Sequence, residues 1–507
     1  MDILISVMGM PWKVYPDKYF WDEVEYVLDG VTLKTRTTLP VLYEYVLSNF
    51  SIPEKVFVIV QETAVVRDVG LDSDYDLLER VIKDTYAEFL RSLGINNFEL
   101  IVAPGCGKFL NSSKSLSKDG LLNILVDVCG TPTDYYYYIF MKLSLILASL
   151  IKEKSIKDLT IHFDISHGVN YVVTLTRIAL NEILPIIATY AGLKKIVLRT
   201  YNSEPVMRKT IQVIPKGSYT IHNIENVIIK SNGNYGLVPI FECIKDKLRL
   251  LTLNNIPCIK KVINDLSSLG KEISRISNEV INELGLNDVG RLNAFVGSLI
   301  NGLPLLTLMT IPTTDLKSFV EKVLKNYREL IHTNIKREGD NLIINVVKRA
   351  RMTEHTKVLT KILLTKELIG SRVGSYDYEE GISLRELGNV ISILYDWNER
   401  LKTVLSFDYH SLLETVENLR RIGLSTWTLL ARIPKSDKPY QLISERDCEE
   451  ELNKSLDRFE RNFLQHSGLH RCLTEVRVDG RVRYVKDLPE DILKRIYNIA
   501  MKGLNMI

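Results

Sequence analysis

Short runs of apolar, β-branched residues alternate with amphipathic stretches along the N-terminal part of the chain. The runs predict buried strands at Ile3–Val7, Val56–Val60, Phe98–Val102, Leu159–Phe163 and Ile196–Thr200. Between them, Tyr75–Leu93 and Asp134–Ile151 have the period of amphipathic helices. Strands that alternate with helices predict an α/β domain whose sheet is mostly parallel.

Helical patterns replace this alternation from about Phe241 onward, for example at Ser318–Ile331 and Ser411–Arg421. Within them one short strand is predicted at Asn341–Val347. Near the C-terminus, Val476–Tyr484 alternates around an Asp-Gly pair, which is the signature of a hairpin with a type I′ turn. We therefore expect a mainly α-helical C-terminal part that carries a small β-hairpin.

A segment rich in helix and strand breakers marks the boundary between these two parts. Between Pro205 and Phe241 the breakers are Pro215, Gly217, Gly233 and Gly236. A chain of 507 residues is too long for a single ordinary domain. We predict an α/β domain over residues 1–212, a helical linker region over 213–345 and a helical domain over 346–507.

The composition is that of a soluble globular protein. Apolar residues make up 46% and charged residues 25%, and a net charge of +3 gives no overall basic field for nucleic acid. The N-terminus lacks the basic start of a signal peptide. The most apolar run, Tyr135–Ile151, contains Lys142 and is too short for a membrane span. We expect a cytoplasmic protein that makes no membrane contact.

The cysteines show no paired spacing along the chain. They are Cys106, Cys129, Cys243, Cys258, Cys448 and Cys472. This scatter fits neither a disulfide framework nor a zinc site, and it favours a reducing cytoplasm.

A polar motif, Asp164–Asn170, follows the predicted strand Leu159–Phe163 and opens a long helical stretch. Ligands of open α/β sheets bind beyond the carboxyl ends of the strands, which is where this motif lies. Gly168 lets the backbone approach a ligand, and the free N–H groups at the start of a helix suit a phosphate.

The side chains of the same motif add further binding chemistry. Ser166, His167 and Asn170 supply donors, and Asp164 is suited to accept from a base edge or a ribose hydroxyl. The alternative is structural, because Asp164 or Ser166 also suits a simple helix cap that leaves His167 exposed.

Other loops after predicted strands share this polar, glycine-bearing character. The candidate ligand-binding residues in them are Gly9, Met10, Pro11 and Trp12 after the first strand, and Gly105 and Gly107 after the third. The second loop is not a P-loop, since Phe109 stands where a Ser or Thr would hold magnesium. A GxGxxG fingerprint is also missing, so no dinucleotide cofactor is expected.

A second motif, Arg461-Asn462-Phe463-Leu464-Gln465-His466, lies in a helical C-terminal segment. A histidine transfers protons near neutral pH, and an arginine stabilises charge that develops on a phosphate. These residue types predict cleavage of RNA without a metal. Arg461 and His466 lie five positions apart, about 140° around an ideal helix, so a productive pair needs a distorted turn or a second subunit.

Taken together, these motifs resemble the CARF–HEPN ribonucleases, the accessory nucleases of type III CRISPR systems. The resemblance rests on the Gly9–Trp12 loop, on Asp164–Asn170 with its helix, on Thr200–Pro205 and on Arg461–His466. The family's usual Asp-x-Thr-His-Gly has Ser166 in place of the threonine, which keeps the hydroxyl. Residues 240–440 match only in being helical.

The resemblance implies a sensor joined to an effector. The Rossmann-like CARF domain of such proteins dimerises and binds a cyclic oligoadenylate, usually the tetra-adenylate, as an allosteric activator. Two HEPN motifs then meet in one cleft, where we expect His466 to exchange protons, Arg461 to stabilise the transition state and Asn462 to orient the phosphate. The expected partners are RNA, the cyclic oligoadenylate and a second copy of the chain, as a homodimer or a higher even oligomer. No cofactor and no metal are expected.

Other interpretations of the C-terminal motif remain open. Arg461 also suits a solvated salt-bridge face with Asp457 or Glu460. His466 and His470 have the i, i+4 spacing of a zinc helix, but no Glu follows His466 and no third ligand is evident. A face formed by Arg458, Asn462 and His466 would also suit packing in a dimer, which is compatible with catalysis. The residues after the motif are basic, at Arg471, Arg477, Arg481, Arg483 and Lys486. They predict either a ribbon that binds phosphates or a hairpin edge protected by charge.

Two rival functions follow from the same resemblance. CARF domains also occur in transcriptional regulators with helix-turn-helix modules, and the helical middle of the chain has room for one. Alternatively, the CARF domain itself slowly cleaves its activator.

Overall fold

The computed structural model describes residues 1–114, 121–154, 156–204, 218–230, 239–261, 263–370, 372–373, 376–433, 445–453 and 456–506. In the first half of the chain the elements are β1 (Asp2–Met8), β2 (Trp12–Val14), β3 (Lys18–Tyr19), β4 (Val24–Leu28), β5 (Val31–Thr35), α1 (Leu39–Asn49), β6 (Val56–Gln61), α2 (Tyr75–Ser92), β7 (Phe98–Ala103), β8 (Gly107–Lys114), β9 (Leu121–Cys129), α3 (Pro132–Glu153), β10 (Asp158–His167), α4 (Asn170–Tyr190), β11 (Lys195–Ser203) and β12 (Tyr219–Lys230).

In the second half they are β13 (Glu242–Cys243), β14 (Leu251–Leu253), α5 (Leu266–Glu283), α6 (Val289–Asn301), α7 (Pro304–Thr310), α8 (Leu316–Glu329), β15 (Ile331–Glu338), β16 (Asn341–Lys348), β17 (Ala350–Met352), α9 (Glu354–Gly370), β18 (Ile382–Ser383), α10 (Leu384–Leu394), α11 (Glu399–Ile422), β19 (Thr428–Leu429), α12 (Glu445–Leu452), α13 (Leu456–Gln465), β20 (Thr474–Val476), β21 (Arg481–Tyr484), α14 (Glu490–Ala500) and β22 (Asn505–Met506).

The N-terminal domain is built on an eight-stranded sheet in the order β5-β4-β12-β11-β10-β1-β6-β7. Strands β11, β10, β1, β6 and β7 run parallel, whereas β12 is antiparallel to β11. Every residue of β1 and β6 is buried, as expected for parallel strands covered on both faces. The predicted strands and their parallel order are confirmed. The sheet also extends beyond residue 212, because β12 begins at Tyr219.

The helix α4 follows β10 and is a core helix of this domain. Among the described helices it alone has the length and apolarity of a membrane span, with a mean hydropathy of 1.5. More than half of that span, 56%, is already buried inside the protein. Its residues Leu180, Ile183 and Leu184 are completely buried, so packing against the core explains its apolarity.

A second sheet, in the order β15-β16-β9-β8, connects the two halves of the chain. The hairpin β8–β9 leaves the N-terminal domain after β7, and β9 pairs in parallel with β16, as at Val126 with Ile344. The predicted strand at Asn341–Val347 is confirmed as β16. The region from 213 to 345 thus contains the strands β12, β13, β14 and β15 and most of β16 besides its helices.

The C-terminal part is mainly helical, as predicted, and carries the predicted hairpin as β20 and β21. The predicted type I′ turn was wrong. Gly480 has a φ of 83°, but Asp479 keeps a negative φ, whereas a type I′ turn needs two left-handed residues. The Gly480 N–H donates to the Arg477 carbonyl, and the Arg477 N–H donates to the Arg481 carbonyl. This is a longer loop with one left-handed glycine.

Two disulfides overturn the prediction made from cysteine spacing. Cys129 is joined to Cys258, and Cys448 to Cys472, with Cα–Cα distances of 6.0 and 5.4 Å. Cys106 and Cys243 are free. The first pair lies 129 residues apart in sequence, so only the fold brings it together. Pro205, Pro215, Gly217, Gly233 and Gly236, which mark the predicted boundary, lie outside the described residues.

Candidate ligand and catalytic sites

The loops after β1 and β10 meet at the point where the strand order of the large sheet reverses. From β1 the chain adds β6 and β7 on one side and later adds β10 and β11 on the other. The ends of β1 and β10 are in register, with Met8 beside His167. A crevice at such a switch point is where open α/β sheets bind ligands. We call this place the switch-point crevice.

The buried carboxylate of Asp164 holds the loop after β10 in place through hydrogen bonds. Its carboxylate is 1% exposed and accepts hydrogen bonds from Ser6 Oγ at 3.0 Å, Thr38 Oγ1 at 2.9 Å and the Ser166 N–H at 3.1 Å. With its oxygens occupied by these three donors, Asp164 shapes the loop rather than facing a ligand. Ser166 Oγ in turn accepts from the Ser203 N–H at 3.1 Å, which ties the loop to the end of β11.

His167 is held on two sides at the crevice. Its Nε2 accepts a hydrogen bond from the Thr38 N–H at 3.2 Å, so the neutral ring carries its proton on Nδ1. Burial lowers the pKa of His167, with the Asp164 charge acting in the opposite direction. The Trp21 ring lies against the imidazole at 4.5 Å between centroids. Neither Thr38 nor Trp21 was predicted from the sequence.

Two glycines allow the loops to approach each other. The Gly9 N–H donates to the His167 carbonyl at 2.8 Å, and a Cβ at Gly9 would lie 2.8 Å from that same oxygen. A Cβ at Gly168 would lie 2.5 Å from Val173 and 2.7 Å from Val7. Real Cβ atoms do not tolerate such distances, so both positions require glycine.

The start of α4 faces the crevice with unsatisfied backbone donors. Its N-cap, Val169, has no side-chain oxygen, and its first turn contains no acidic residue. Val169 and Asn170 are exposed. A helix start of this kind, with free N–H groups and the positive end of the helix dipole, is suited to an anion.

The other candidate ligand residues of the loop after β1 are partly or fully buried. Trp12 is 2% exposed and packs edge to face on Tyr86 and Phe89, and Pro11 is also buried, so these two belong to the core. Met10 is half-buried beside Gly9.

The two glycines of the loop after β7 lie in different environments: Gly105 is buried in a hydrogen-bonded cluster, and Gly107 is exposed. The Gly105 N–H donates to Glu62 and its carbonyl accepts from Lys348, in a buried cluster where Lys348 Nζ lies 2.5 Å from Glu62. Gly107 has a φ of 105° and opens β8. The loop reaches the crevice through Cys106, whose Sγ lies 3.8 Å from the Tyr171 hydroxyl in the first turn of α4.

The C-terminal motif occupies the end of α13. Phe459 and Phe463 are buried and fix one face of this helix, while Arg461 on the other side is exposed and Asn462 is half-buried. Arg461 has no ion-pair partner among the described residues. Of the two acidic residues in the salt-bridge interpretation, Glu460 pairs instead with Lys502, and the side chain of Asp457 lies outside the described part of the chain. His466 follows the last helical residue, and 61% of its side chain is exposed.

A tight turn ends the helix and places His466 there. The Gly468 N–H donates to the Phe463 carbonyl at 2.9 Å and the Ser467 N–H donates to the Leu464 carbonyl at 3.2 Å, which is a Schellman motif. Ser467 takes the left-handed conformation, with a φ of 51°. The helix thus ends in a distorted turn directly after His466, and whether Arg461 and His466 act within one chain or across two subunits stays a prediction.

Asp408 on α11, unpredicted from the sequence, borders this turn. Its Oδ1 lies 3.7 Å from His466 Nδ1, and its Oδ2 accepts a hydrogen bond from Ser467 Oγ. The histidine, the carboxylate and the arginine are residue types for proton transfer and phosphate binding. We call Asp408, Arg461, Asn462, His466 and Ser467 the catalytic corner.

His470 does not join His466 in a metal site. It is 1% exposed, its Nδ1 accepts from the Cys472 N–H at 3.3 Å, and burial lowers its pKa to about 4. One imidazole is therefore buried while the other faces solvent. Among the described residues, no group of three His, Cys, Asp or Glu side chains is placed to hold a metal.

Acidic neighbours neutralise the basic residues after the motif. Arg477 pairs with Glu380 and Asp479, Arg483 with Glu475 at 3.0 Å, and Lys486 with Glu379 at 2.7 Å. Arg481 donates to the Glu380 carbonyl, and Arg471 lies 3.4 Å from Glu451. Arg477 and Arg483 also lie over the Trp427 ring, at 5.0 and 4.1 Å. These contacts favour a protected hairpin edge over a ribbon that binds phosphates.

Comparison with known proteins identifies the N-terminal domain. Residues 3–205 match the family described as "CRISPR system endoribonuclease Csx1, CARF domain". The chain is also similar to the protein named CRISPR system endoribonuclease Csx1 of Methanocaldococcus jannaschii, with 24% identity over 485 residues, which cover 93% of this chain and 86% of that protein. The resemblance drawn from the sequence motifs is confirmed.

Proposed function

Since residues 3–205 form a CARF domain of the Csx1 kind, we propose that the chain is a cytoplasmic endoribonuclease of type III CRISPR defence, activated by a cyclic oligoadenylate. The observation that carries this proposal is the catalytic corner. Exposed Arg461, half-buried Asn462 and exposed His466 lie in the last turns of one helix or directly after it, in a chain similar to a Csx1 endoribonuclease along most of its length.

The ligand we propose for the switch-point crevice is cyclic tetra-adenylate. The uncapped start of α4 and the glycine loops at Gly9 and Gly168 suit the repeated phosphates of a ring. A second copy of the chain would present the same loops across a two-fold axis, so that one ring contacts both protomers. Half-buried Trp21, beside His167, offers a surface on which an adenine can stack.

For the catalytic corner we propose a HEPN-type reaction within a dimer. The ribose 2′-hydroxyl attacks the adjacent phosphorus, and the bond to the 5′-oxygen breaks. One His466 removes the proton from the nucleophile, and the partner copy's imidazole delivers a proton to the leaving 5′-oxygen. Arg461 binds the charge that develops on the phosphate, with Asn462 as a further donor. The products are a 2′,3′-cyclic phosphate and a free 5′-hydroxyl, and side chains alone supply this chemistry.

Ion pairs around the buried Lys361, between α4 and the C-terminal part, offer a route for activation. Glu182 on α4 lies 2.5 Å from Lys361 Nζ on α9, and Lys361 lies 3.1 Å from Glu242 of β13. Strand β13 pairs with β22, which follows α14, and Arg495 of α14 lies over the Phe459 ring of α13 at 4.6 Å. This contiguous path supports allosteric control, in which the ligand shifts the placement of two catalytic corners.

The test is cleavage of a quenched fluorescent RNA in EDTA, with and without cyclic tetra-adenylate. We expect ligand-stimulated cleavage in the wild type, 2′,3′-cyclic phosphate ends, and loss of cleavage in His466→Ala. Ligand binding without cleavage, with rings of any size, would instead favour a transcriptional regulator. Linear products from labelled cyclic tetra-adenylate would show that the CARF domain also cleaves its activator.

A further inference from the structure

Asp408 is the carboxylate that faces the exposed histidine of the catalytic corner. It lies in the interior of α11, 58 residues before His466, so its approach depends on how α11 packs beside the end of α13. Only 17% of its side chain is exposed, compared with 61% for His466. Among the described residues, no other carboxylate lies within ion-pair distance of His466. Asp408 is thus the more buried member of the pair and His466 the more exposed one.

The two oxygens of Asp408 have different partners. Oδ2 accepts from the Ser467 hydroxyl, and this contact orients the carboxylate. Oδ1 then lies 3.7 Å from His466 Nδ1. That distance is longer than a hydrogen bond, but catalytic hydrogen bonds commonly close only when substrate binds.

The backbone at this point limits how far His466 can move. Ser467 holds a left-handed φ of 51°, which is uncommon for a residue other than glycine, and its side chain is anchored on Asp408. The turn therefore fixes the Cα of His466, and the carboxylate restricts its χ angles.

We propose that Asp408 is a positioning residue that keeps the proton of neutral His466 on Nδ1 and leaves Nε2 as the reacting nitrogen. The negative oxygen beside Nδ1 favours an N–H there, since a carboxylate can only accept. Nε2 is then a free acceptor, oriented away from Asp408, for the 2′-hydroxyl proton. In the partner copy the same carboxylate stabilises the imidazolium that donates to the leaving oxygen. This inference rests on the proposed function and names what organises its reacting group.

Three substitutions distinguish the effect of the Asp408 charge on catalysis from the effect of the Ser467 hydroxyl and from a general effect of charge on α11. Asp408→Asn keeps an oxygen that can accept from Ser467 but removes the charge, and its amide can donate to Nδ1, which would move the ring proton to Nε2. Ser467→Gly removes the hydroxyl while suiting the left-handed backbone. Glu414→Gln is the matched control, because Glu414 is an exposed carboxylate on the same helix.

We expect Asp408→Asn to lower kcat by roughly 10- to 100-fold, with KM within about twofold, because the tautomer that accepts the proton becomes rare. Ser467→Gly should lower kcat less, by a few-fold, and Glu414→Gln should leave it unchanged. Nitrogen-15 chemical shifts of the neutral His466 ring should show an Nδ1–H tautomer in the wild type and a shift toward Nε2–H in Asp408→Asn. All three variants should keep the wild-type affinity for cyclic tetra-adenylate.

The proposal is overturned by an Asp408→Asn variant with wild-type kcat, or by an unchanged tautomer in the variant. An equal loss in Glu414→Gln would also overturn it, since the effect would then belong to the helix as a whole. These outcomes differ from a failure of the proposed function, in which the wild type itself does not cleave RNA or His466→Ala still cleaves it.

Discussion

The two candidate sites differ in how firmly a single chain holds them. In the switch-point crevice, Asp164 receives three hydrogen bonds and His167 is fixed by the Thr38 N–H and the Trp21 ring. In the catalytic corner, Arg461 is exposed, and the carboxylate that faces His466 among the described residues is 3.7 Å away. The crevice is therefore organised before a ligand arrives, whereas the two groups of the corner to which we assign the chemistry, Arg461 and His466, are exposed.

This difference has a consequence for mutagenesis. Substitutions within the crevice remove buried hydrogen bonds or close packing, so they lower the free energy of unfolding together with ligand binding. Substitutions of exposed residues in the corner leave folding almost unchanged and act on catalysis alone.

The largest expected effect is on catalysis at Arg461. Arg461→Ala should lower kcat by about 10²–10³-fold, because removing a donor to the transition-state charge typically has this effect. Arg458→Ala is the matched control, since Arg458 is an exposed arginine one turn earlier on the same helix. RNA cleavage kinetics and urea unfolding of both variants provide the test. A comparable loss in Arg458→Ala would mean that the helix needs positive charge in general.

The next effect concerns His470, whose imidazole is buried, in contrast to the exposed imidazole of His466. Burial lowers the pKa of His470 to about 4, below the ordinary value of about 6.5. The unfolded chain therefore takes up a proton between these values and the folded one does not. Stability from this group is complete above pH 6.5 and is lost as the pH falls through 4, by roughly 3 kcal/mol in all.

Urea unfolding at several pH values measures this loss. His470→Asn keeps an acceptor for the Cys472 N–H but does not titrate, so its unfolding midpoint should fall less between pH 7 and pH 4 than that of the wild type. His222→Asn, at a histidine with 54% of its side chain exposed, should follow the wild type. Identical pH profiles for wild type and His470→Asn would contradict the expectation.

A smaller effect is expected where the crevice is most tightly packed. Gly168→Ala places a methyl group 2.5 Å from Val173, and such overpacking costs about 1–3 kcal/mol of stability. Because the displaced loop borders the crevice, we also expect the Kd for cyclic tetra-adenylate to rise by about tenfold, which corresponds to ~1.4 kcal/mol. Gly370→Ala is the control, with no atom within 4 Å of the added methyl. Unchanged stability and affinity in Gly168→Ala would show that the loop is not fixed.

The smallest effect, close to zero, is expected on the basic hairpin. Arg477→Ala should leave the affinity for RNA and its salt dependence unchanged, since Glu380 and Asp479 already neutralise Arg477. If Arg477 instead contacts a phosphate, the slope of log Kd against log salt should decrease by about 0.7. Titration of fluorescent RNA at several salt concentrations distinguishes the two.

Local sequence patterns predicted the helices and strands. Contacts between residues far apart in the sequence became known only from the structure. The apolar runs of β1 and β6 and the place of the Asp164–Asn170 loop follow from local sequence. The contacts between Asp164 and Thr38, 126 residues apart, and the pairing of β9 with β16 do not. The same holds for Asp408, an ordinary acidic position on an amphipathic helix until α11 packs beside His466.

Two features that the sequence did not reveal have the same physical origin. The spacing of the cysteines gave no sign of the bond between Cys129 and Cys258, because 129 residues of folded chain separate them. The packing of Trp12, a candidate ligand residue from its place in a glycine-bearing loop, against the Tyr86 and Phe89 rings of α2 was likewise not apparent from the sequence. The domain boundaries and the oligomeric state remain predictions.

The central claim is that ligand binding in the crevice activates cleavage at the corner. The most direct measurement follows binding of fluorescent cyclic tetra-adenylate and the initial rate of RNA cleavage in one titration, for wild type and His466→Ala. We predict that both proteins bind the ligand with the same Kd, that the wild-type rate rises in parallel with occupancy, and that the variant does not cleave. A wild-type cleavage rate that does not change with ligand occupancy would contradict the account. Equal cleavage rates in the wild type and in His466→Ala would also contradict it.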